Sequence, residues 1–139
     1  VFVSSDFRRA LETAEIAQRQ LSIKNTALII DARLRERFFG MLEGSTNANY
    51  QSIWNADEQD PSEAPHRAES ANDVVTRTTS LIVELDQQYN KRSIVLVSHG
   101  DTLQILQCAF QRISASQHRF LAPLSTAEIR ELQLHKKPL

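Results

Sequence analysis

The sequence predicts an α/β fold, a three-layer sandwich in which helices cover both faces of a mostly parallel sheet. Two observations predict this class. Short apolar runs rich in β-branched residues alternate with stretches whose apolar residues recur every three or four positions. In chain order the elements are strand, helix, strand, loop, helix, strand, helix and strand, which is typical of α/β proteins. The length of 139 residues suits a single domain, residues 1–139.

The first unit is predicted to be a strand, a tight turn and an amphipathic helix. Residues Val1–Ser4 form the strand, and Ser5 or Asp6 serves as the N-cap of the helix. Small and apolar residues recur along one helical face: Phe7, Ala10, Leu11, Ala14, Ala17 and Leu21. Asn25 ends this helix, and residues 27–30 form a second short strand.

The stretch Asp31–Gly44 is predicted to be an ordered loop. It fits neither the helical nor the strand period, and it contains two of the three glycines of the chain. Such loops on an α/β scaffold often carry functional residues. Glu36 lies inside it, between Arg35 and Arg37, and its carboxyl group is a candidate general acid and base. The alternative for Glu36 is a surface ion pair.

The middle of the chain is predicted to contain a short helix, a surface excursion and the longest helix. The short helix covers residues 50–55, and the excursion covers Asp57–Ala68, which holds two prolines and several acidic residues. Ser70 followed by Asp73 resembles the start of a capping box. The helix 70–89 has one apolar stripe: Val74, Thr78, Leu81, Ile82, Leu85 and Tyr89.

The last third of the chain is organised around an apolar run. Residues 93–98 are predicted to form a strand buried on both faces, because four apolar residues stand in a row. A helix over residues 101–113 follows, with apolar residues at helical spacing. Residues 127–134 alternate and predict a final strand at a sheet edge, and the tail 136–139 is expected to fray.

His99 lies between that strand and that helix. Ligands of open α/β sheets bind at the carboxyl ends of the strands, and helix N-termini favour anions. A phosphate or carboxylate beside His99 is therefore one hypothesis, and a histidine that only caps the turn is the alternative. Arg8 and Arg9 follow the first strand and are expected at the same edge, where guanidiniums suit a phosphate dianion. A solvated helix face is the alternative for either arginine.

Composition argues against several other classes of protein. The formal net charge of -1, from 16 basic and 17 acidic residues, gives no case for binding nucleic acid or an anionic membrane. The single cysteine, Cys108, suits a reducing compartment, so we expect a cytoplasmic protein. No Cys/His cluster has metal-ligand spacing and no glycine-rich phosphate loop is present, so no metal and no cofactor are expected.

Three segments together resemble the motifs of the histidine phosphatase superfamily, which has the phosphoglycerate-mutase-like fold. Ser4–Ala14 resembles the family's Ser-Ser-x-x-x-Arg-Ala-x-x-Thr-Ala segment. Leu34–Gly44 resembles its Leu-x-Glu-x-x-x-Gly-x-x-Glu-Gly loop, and Val97–Gly100 resembles the motif of its second catalytic histidine. The three segments occur in the family's order along nearly the whole chain.

The resemblance implies metal-independent hydrolysis of a phosphomonoester through a phosphohistidine intermediate. Arg9 and His99 would hold the phosphoryl oxygens. Glu36 would protonate the leaving oxygen and then activate water. Further substrate- or phosphate-binding residues on these motifs would be Arg8, Arg37, Ser5 and Gly100.

One motif of the family is absent from the sequence. The family's Arg-His-Gly segment carries the histidine that becomes phosphorylated, and it should lie upstream of Val1. Its strand is expected between Val1–Ser4 and Ile94–Val97, which would otherwise lack a shared neighbour. We therefore expect an N-terminally incomplete domain that is inactive by itself.

Two other functions remain open. One is phosphoryl transfer of the phosphoglycerate mutase type, although the spacing from Ser5 to His99 lacks the long insertion of those mutases. The other is a non-catalytic family member that binds a phosphorylated ligand or a protein partner. The expected partner is a small phosphorylated metabolite, and a homodimer is allowed.

Overall fold

A computed structural model describes residues 1–22 and 26–133, and it has the predicted α/β architecture. Within that part of the chain, three short strands form a parallel sheet: β1 (Phe2–Ser4), β2 (Leu28–Ile30) and β3 (Val95–Val97). Four α-helices occur in the same residues: α1 (Arg8–Gln20), α2 (Asn47–Gln59), α3 (Ala71–Gln88) and α4 (Gly100–Gln111). Short 3₁₀ turns lie at residues 32–34, 40–42, 65–67 and 115–120.

The two faces of the sheet bury different residues of β1. Val3 packs against Leu34 and against Leu85 of α3 on one face. Phe2 and Ser4 are also buried, and they point to the opposite face because successive strand residues alternate. Helix α1 runs along the strands and buries its alanines against them. This arrangement gives helix, sheet and helix in three layers.

The strand order is β2-β1-β3, and it corrects one prediction. A missing strand was expected between the first strand and the strand that precedes His99, but β1 and β3 are direct neighbours. Their register pairs Phe2 with Val95 and Ser4 with Val97. Strand β3 is at an edge of this sheet, and Val95 is 36% exposed, so the prediction of burial on both faces is also wrong here.

Most of the predicted helices are confirmed, with changed ends. Helix α3 matches the longest predicted helix, and the Ser70 hydroxyl accepts a hydrogen bond from the Asp73 N–H at 3.0 Å, as in a capping box. Helix α1 begins differently from the prediction. Its N-cap is Phe7, which makes no side-chain capping bond, and the Ser5 hydroxyl accepts a hydrogen bond from the Phe7 N–H at 3.2 Å. Leu21, predicted on the apolar face, is 58% exposed.

Two predictions are wrong: the surface excursion that begins at Asp57 and the final strand over residues 127–134. The predicted excursion began at Asp57, but this residue belongs to α2 and is fully buried. Residues 127–133 form no strand, and Ile129 is 89% exposed instead of facing a core. Arg130 binds the carbonyl of Ala122 and the side chain of Gln107, so side-chain bonds hold this segment instead of a strand ladder. Asn25, Leu134 and the tail 136–139 lie outside the described residues.

Candidate active site

His99 lies at the carboxyl edge of the sheet, as the strand-to-helix pattern predicted. It is the N-cap residue of α4, but its side chain makes no capping hydrogen bond. The ring is buried, and Nε2 lies 2.9 Å from the hydroxyl oxygen of Ser5, which follows β1. The structure therefore brings together the first and third motifs of the sequence.

The surroundings of His99 favour its neutral form. Burial, together with the guanidiniums of Arg9 and Arg77, lowers the pKa of His99 to about 4. The ring of Phe7 meets the imidazole edge to face, with centroids 5.3 Å apart. A neutral imidazole with one N–H donor is the form present at neutral pH in the free protein.

Glu36 is bound to the first turn of α4. Its Oε1 accepts hydrogen bonds from the backbone N–H of Arg37 at 2.9 Å and of Thr102 at 3.1 Å, and from the Thr102 hydroxyl at 3.2 Å. Burial, with the Asp101 carboxylate nearby, raises the pKa of Glu36 despite these bonds. No ion pair involves Glu36 among residues 1–22 and 26–133, so the surface ion pair does not describe it. A carboxyl group with a raised pKa suits proton donation.

The loop that carries Glu36 is fixed to the sheet edge by its own carbonyl groups. The Ser98 hydroxyl donates to the carbonyl of Leu34 at 2.7 Å, and the Thr102 hydroxyl donates to that of Arg35 at 2.8 Å. Arg77 of α3 donates to the carbonyl of Arg33 at 2.5 Å. The predicted ordered loop is thereby held against the residues on either side of His99.

A shallow open depression lies at the start of α1, and the Phe7 ring that lines it packs edge to face against His99. Its lining residues are Asp6, Phe7, Arg8, Arg9, Glu12 and Arg35. The guanidiniums of Arg9 and Arg35 lie over the Phe7 ring, 5.3 and 5.5 Å from its centroid. Arg35 is paired with Asp6, whereas Arg9 pairs with no acidic side chain in the described part of the chain. Arg9 is thus the cation of this depression that an anion can approach without breaking an ion pair.

Arg8 lies at the rim of the depression, where 90% of its side chain is exposed and it pairs with Glu12 one turn along α1. This position fits the solvated helix face that was the alternative for Arg8. Gly100 is exposed as the first residue of α4, next to His99.

Arg37 does not face the depression. Its guanidinium is completely buried and binds the carboxylate of Asp57 and the carbonyl of Glu69. Its predicted contact with substrate finds no support in this geometry. No local pattern singled out Asp57 or the buried His118 beside it, because charged residues near prolines and turns are usually at the surface.

In residues 1–22 and 26–133, no group of three or more His, Cys, Asp or Glu residues is arranged to hold a metal ion. No helix in the same part of the chain has the length and apolar character needed to cross a membrane.

Comparison with known proteins agrees with the fold and the motifs. The sequence matches the family described as Histidine phosphatase superfamily (branch 1) over residues 1–138. It is 30% identical, over 156 aligned positions, to a glucosyl-3-phosphoglycerate phosphatase of Mycobacterium tuberculosis, covering 99% of this chain and 66% of that protein. A protein of the same name from Mycolicibacterium vanbaalenii is 32% identical over 151 positions, covering 99% of this chain and 64% of that protein.

A solved structure of a mycobacterial glucosyl-3-phosphoglycerate phosphatase in complex with VO3 is also similar. It superimposes with a TM-score of 0.74 at 30% identity, covering 89% of this chain and 64% of that one. The chain belongs to the histidine phosphatase superfamily. It spans slightly less than two thirds of the length of the curated relatives it matches.

Proposed function

We propose that the complete protein hydrolyses phosphomonoesters through a phosphohistidine intermediate without a metal ion. The observation that carries this proposal is that Glu36 and His99 both lie at the α4 N-terminus: His99 is the N-cap residue, next to the Ser5 hydroxyl, and Glu36 accepts a hydrogen bond from the Thr102 N–H in the first turn. A helix N-terminus stabilises an anion through its free N–H groups. The proposed proton donor, Glu36, and a residue that would bind the phosphoryl group, His99, thus lie at the same helix N-terminus.

The reaction follows from the roles that the family resemblance implies. A histidine outside the residues of this chain attacks phosphorus, a P–N bond forms and the P–O ester bond breaks. Glu36 gives its proton to the leaving oxygen as that bond breaks. Glu36 then takes a proton from water, whose oxygen attacks phosphorus and releases phosphate from the histidine.

Charge on the phosphoryl group would be stabilised by Arg9 and His99. Arg9 lines the depression and pairs with no acidic side chain in the described part of the chain. Its guanidinium can donate two parallel hydrogen bonds to phosphate. His99 is neutral in the free protein, and a bound dianion would favour its protonated form. The proposed substrate is a small phosphorylated metabolite, a class that includes the glucosyl-3-phosphoglycerate named for the relatives.

Substitution of Glu36 tests the proposal in the full-length protein. Glu36→Gln keeps the shape of the side chain but removes the transferable proton, so turnover of p-nitrophenyl phosphate is expected to fall by about 10²- to 10⁴-fold. His99→Ala is expected to lower turnover by a similar order while the circular dichroism spectrum stays unchanged. Rapid alkaline quenching should trap a phosphoenzyme in the parent protein, and acid treatment of the trapped sample should release its phosphate.

Glu84→Gln is the matched control, because Glu84 is an exposed glutamate on α3 that pairs with Arg33 away from the depression. It should retain the parent rate. A Glu36→Gln variant that forms and hydrolyses the phosphoenzyme at parent rates would place the proton donor elsewhere. A parent protein that turns over substrate without any phosphoenzyme would exclude the phosphohistidine.

A further inference from the structure

The buried ion pair of Arg37 and Asp57 is unusual for its complete enclosure. Neither side chain is exposed at all, and two guanidinium nitrogens meet the two carboxylate oxygens. A third nitrogen of Arg37 donates to the carbonyl of Glu69 at 2.8 Å. The desolvation cost of such a pair usually cancels its Coulombic gain, so stability alone explains it poorly.

The pair continues into a second carboxylate and a histidine. His118, also fully buried, has Nε2 3.0 Å from an oxygen of Asp57 and Nδ1 3.6 Å from an oxygen of Asp101. Arg37 itself lies 3.5 Å from the other oxygen of Asp101. We call these four residues, Arg37, Asp57, Asp101 and His118, the buried network.

The buried network ends next to both candidate catalytic residues. Arg37 directly follows Glu36, and Asp101 is two residues after His99 in the first turn of α4. The three hydrogen bonds to Glu36 come from the Arg37 N–H and from the N–H and hydroxyl of Thr102, which follows Asp101. Each donor therefore belongs to a residue of the buried network or to the next residue along the chain.

We propose that Arg37, Asp57 and His118 are positioning residues that hold the carboxyl group of Glu36 against the first turn of α4. The inference rests on the proposed function, in which Glu36 transfers a proton. It replaces the predicted role of Arg37 in binding substrate. Asp57 on α2 and His118 in the turn 115–120 lie far along the chain from both motifs. They act by holding in place Arg37 and Asp101, the residues that supply or directly precede the hydrogen-bond donors to Glu36.

Two physical effects carry this role. The first is geometric: movement of a catalytic group by about 1 Å can cost about 10²-fold in rate. The second is electrostatic, because the Asp101 carboxylate favours the protonated form of Glu36, and Asp101 lies 3.5 Å from the guanidinium of Arg37, which pairs with Asp57. The groups that face Asp101 from the packed elements are Arg37, His118 and Arg119.

Asp57→Asn in the full-length protein tests both effects. The change removes the negative charge that offsets Arg37, so the uncompensated guanidinium should favour ionised Glu36. A general acid works only when protonated, and the basic limb of the kcat/KM profile should therefore move to lower pH. We expect kcat to fall about 10- to 100-fold, with KM for p-nitrophenyl phosphate within about 3-fold of the parent value.

A double variant keeps the test decisive if Asp57→Asn does not fold. Arg37→Met combined with Asp57→Leu replaces the ion pair by apolar side chains, a change that buried ion pairs often tolerate. Positioning predicts that this folded variant still loses turnover, because His118 and Asp101 have lost their partners. A folded double variant with parent kcat and pH profile would overturn the proposal.

Leu85→Ala is the control for destabilisation without loss of positioning. Leu85 is buried in the cluster around Val3, which includes no member of the buried network. It should lower thermal stability but leave the basic limb of the pH profile in place, and a shift equal to that of Asp57→Asn would overturn the proposal.

If Glu36→Gln lowers turnover and the variants of the buried network do not, the proposal fails while the proposed function stands. If Glu36→Gln has no effect, the proposed function fails.

Discussion

Arg35 and Arg37 stand on either side of Glu36 and both bind an aspartate through two nitrogens, yet their surroundings are opposite. Arg35 pairs with Asp6 at the surface, where the two side chains are 52% and 31% exposed. Arg37 pairs with Asp57 in the interior, where neither is exposed. In an extended segment, residues two positions apart lie on the same face. Arg35 and Arg37 are two positions apart but face opposite sides, because the loop that carries them is irregular.

The contribution of an ion pair to stability depends on what surrounds it. An exposed pair gains little, because water screens both charges and the side chains lose freedom. A buried pair can be close to neutral overall, but loss of one partner leaves the other charge in the interior without compensation. Replacement of the aspartate by alanine can therefore be compared between the buried pair and the exposed pair of the same loop.

Removal of the buried carboxylate is expected to have the largest effect. Asp57→Ala leaves the buried guanidinium of Arg37 with only the more distant carboxylate of Asp101, 3.5 Å away, and should lower the free energy of unfolding by about 3–5 kcal/mol in a urea titration at neutral pH. Arg37→Met added to Asp57→Ala should restore part of that loss, because the stranded charge is gone. A loss below about 1 kcal/mol would mean that the interior around Arg37 is accessible to water.

The pH dependence of that loss follows from the carboxylate itself. Burial opposes ionisation of Asp57, but hydrogen bonds from Arg37 and His118 outweigh it and lower its pKa below the usual 3.8. As pH falls, the unfolded chain therefore binds this proton before the folded chain does. The stabilisation is complete above the unfolded pKa and is lost as pH falls through the folded pKa. The difference between parent and Asp57→Ala should accordingly shrink only in acid below about pH 4.

The two glycines of the same loop also differ in their surroundings, one enclosed and one open. Their substitution is expected to have the next largest effect on the free energy of unfolding. Both have positive φ, +59° at Gly40 and +77° at Gly44. A Cβ at Gly40 would lie 2.1 Å from the backbone oxygen of His66, whereas a Cβ at Gly44 would meet nothing within 4 Å. Gly44→Ala should cost about 1–2 kcal/mol for its left-handed backbone, and Gly40→Ala about 2–5 kcal/mol once the backbone clash is added.

Chemical denaturation of both alanine variants measures this difference directly. The Gly44 variant is the matched control, since it carries the same backbone strain without the clash. Equal losses for the two variants would show that the 65–67 turn moves away freely from the loop.

The sequence was sufficient for the parts of the molecule that local patterns specify. The helix over residues 71–88, with its Ser70 cap, and the strand-to-helix turn at His99 follow from residue spacing and capping chemistry. Position along the chain was also enough to place Ser5 and His99 at one sheet edge, because carboxyl ends of parallel strands meet there.

The remaining features depend on contacts between distant residues. Asp57 looked like a surface acid because local composition around it is polar, and its burial depends on Arg37, twenty residues earlier. The pairing of β1 with β3 depends on residues more than ninety positions apart, and no local pattern specifies which strands are neighbours. The segment 127–133 alternates like a strand, but Arg130 binds it to α4 instead.

The exposed ion pair should give the smallest effect. Asp6→Ala removes the partner of Arg35, whose guanidinium then remains in water, so the change in the free energy of unfolding should lie within the error of a urea titration. Any loss that is measured should disappear in about 1 M salt, where the screening length is roughly 3 Å. A loss approaching that of Asp57→Ala, and insensitive to salt, would mean that Asp6 and Arg35 are enclosed in the full-length protein. The two arginines would then no longer differ in their surroundings, and both pairs would have to be treated as parts of one interior.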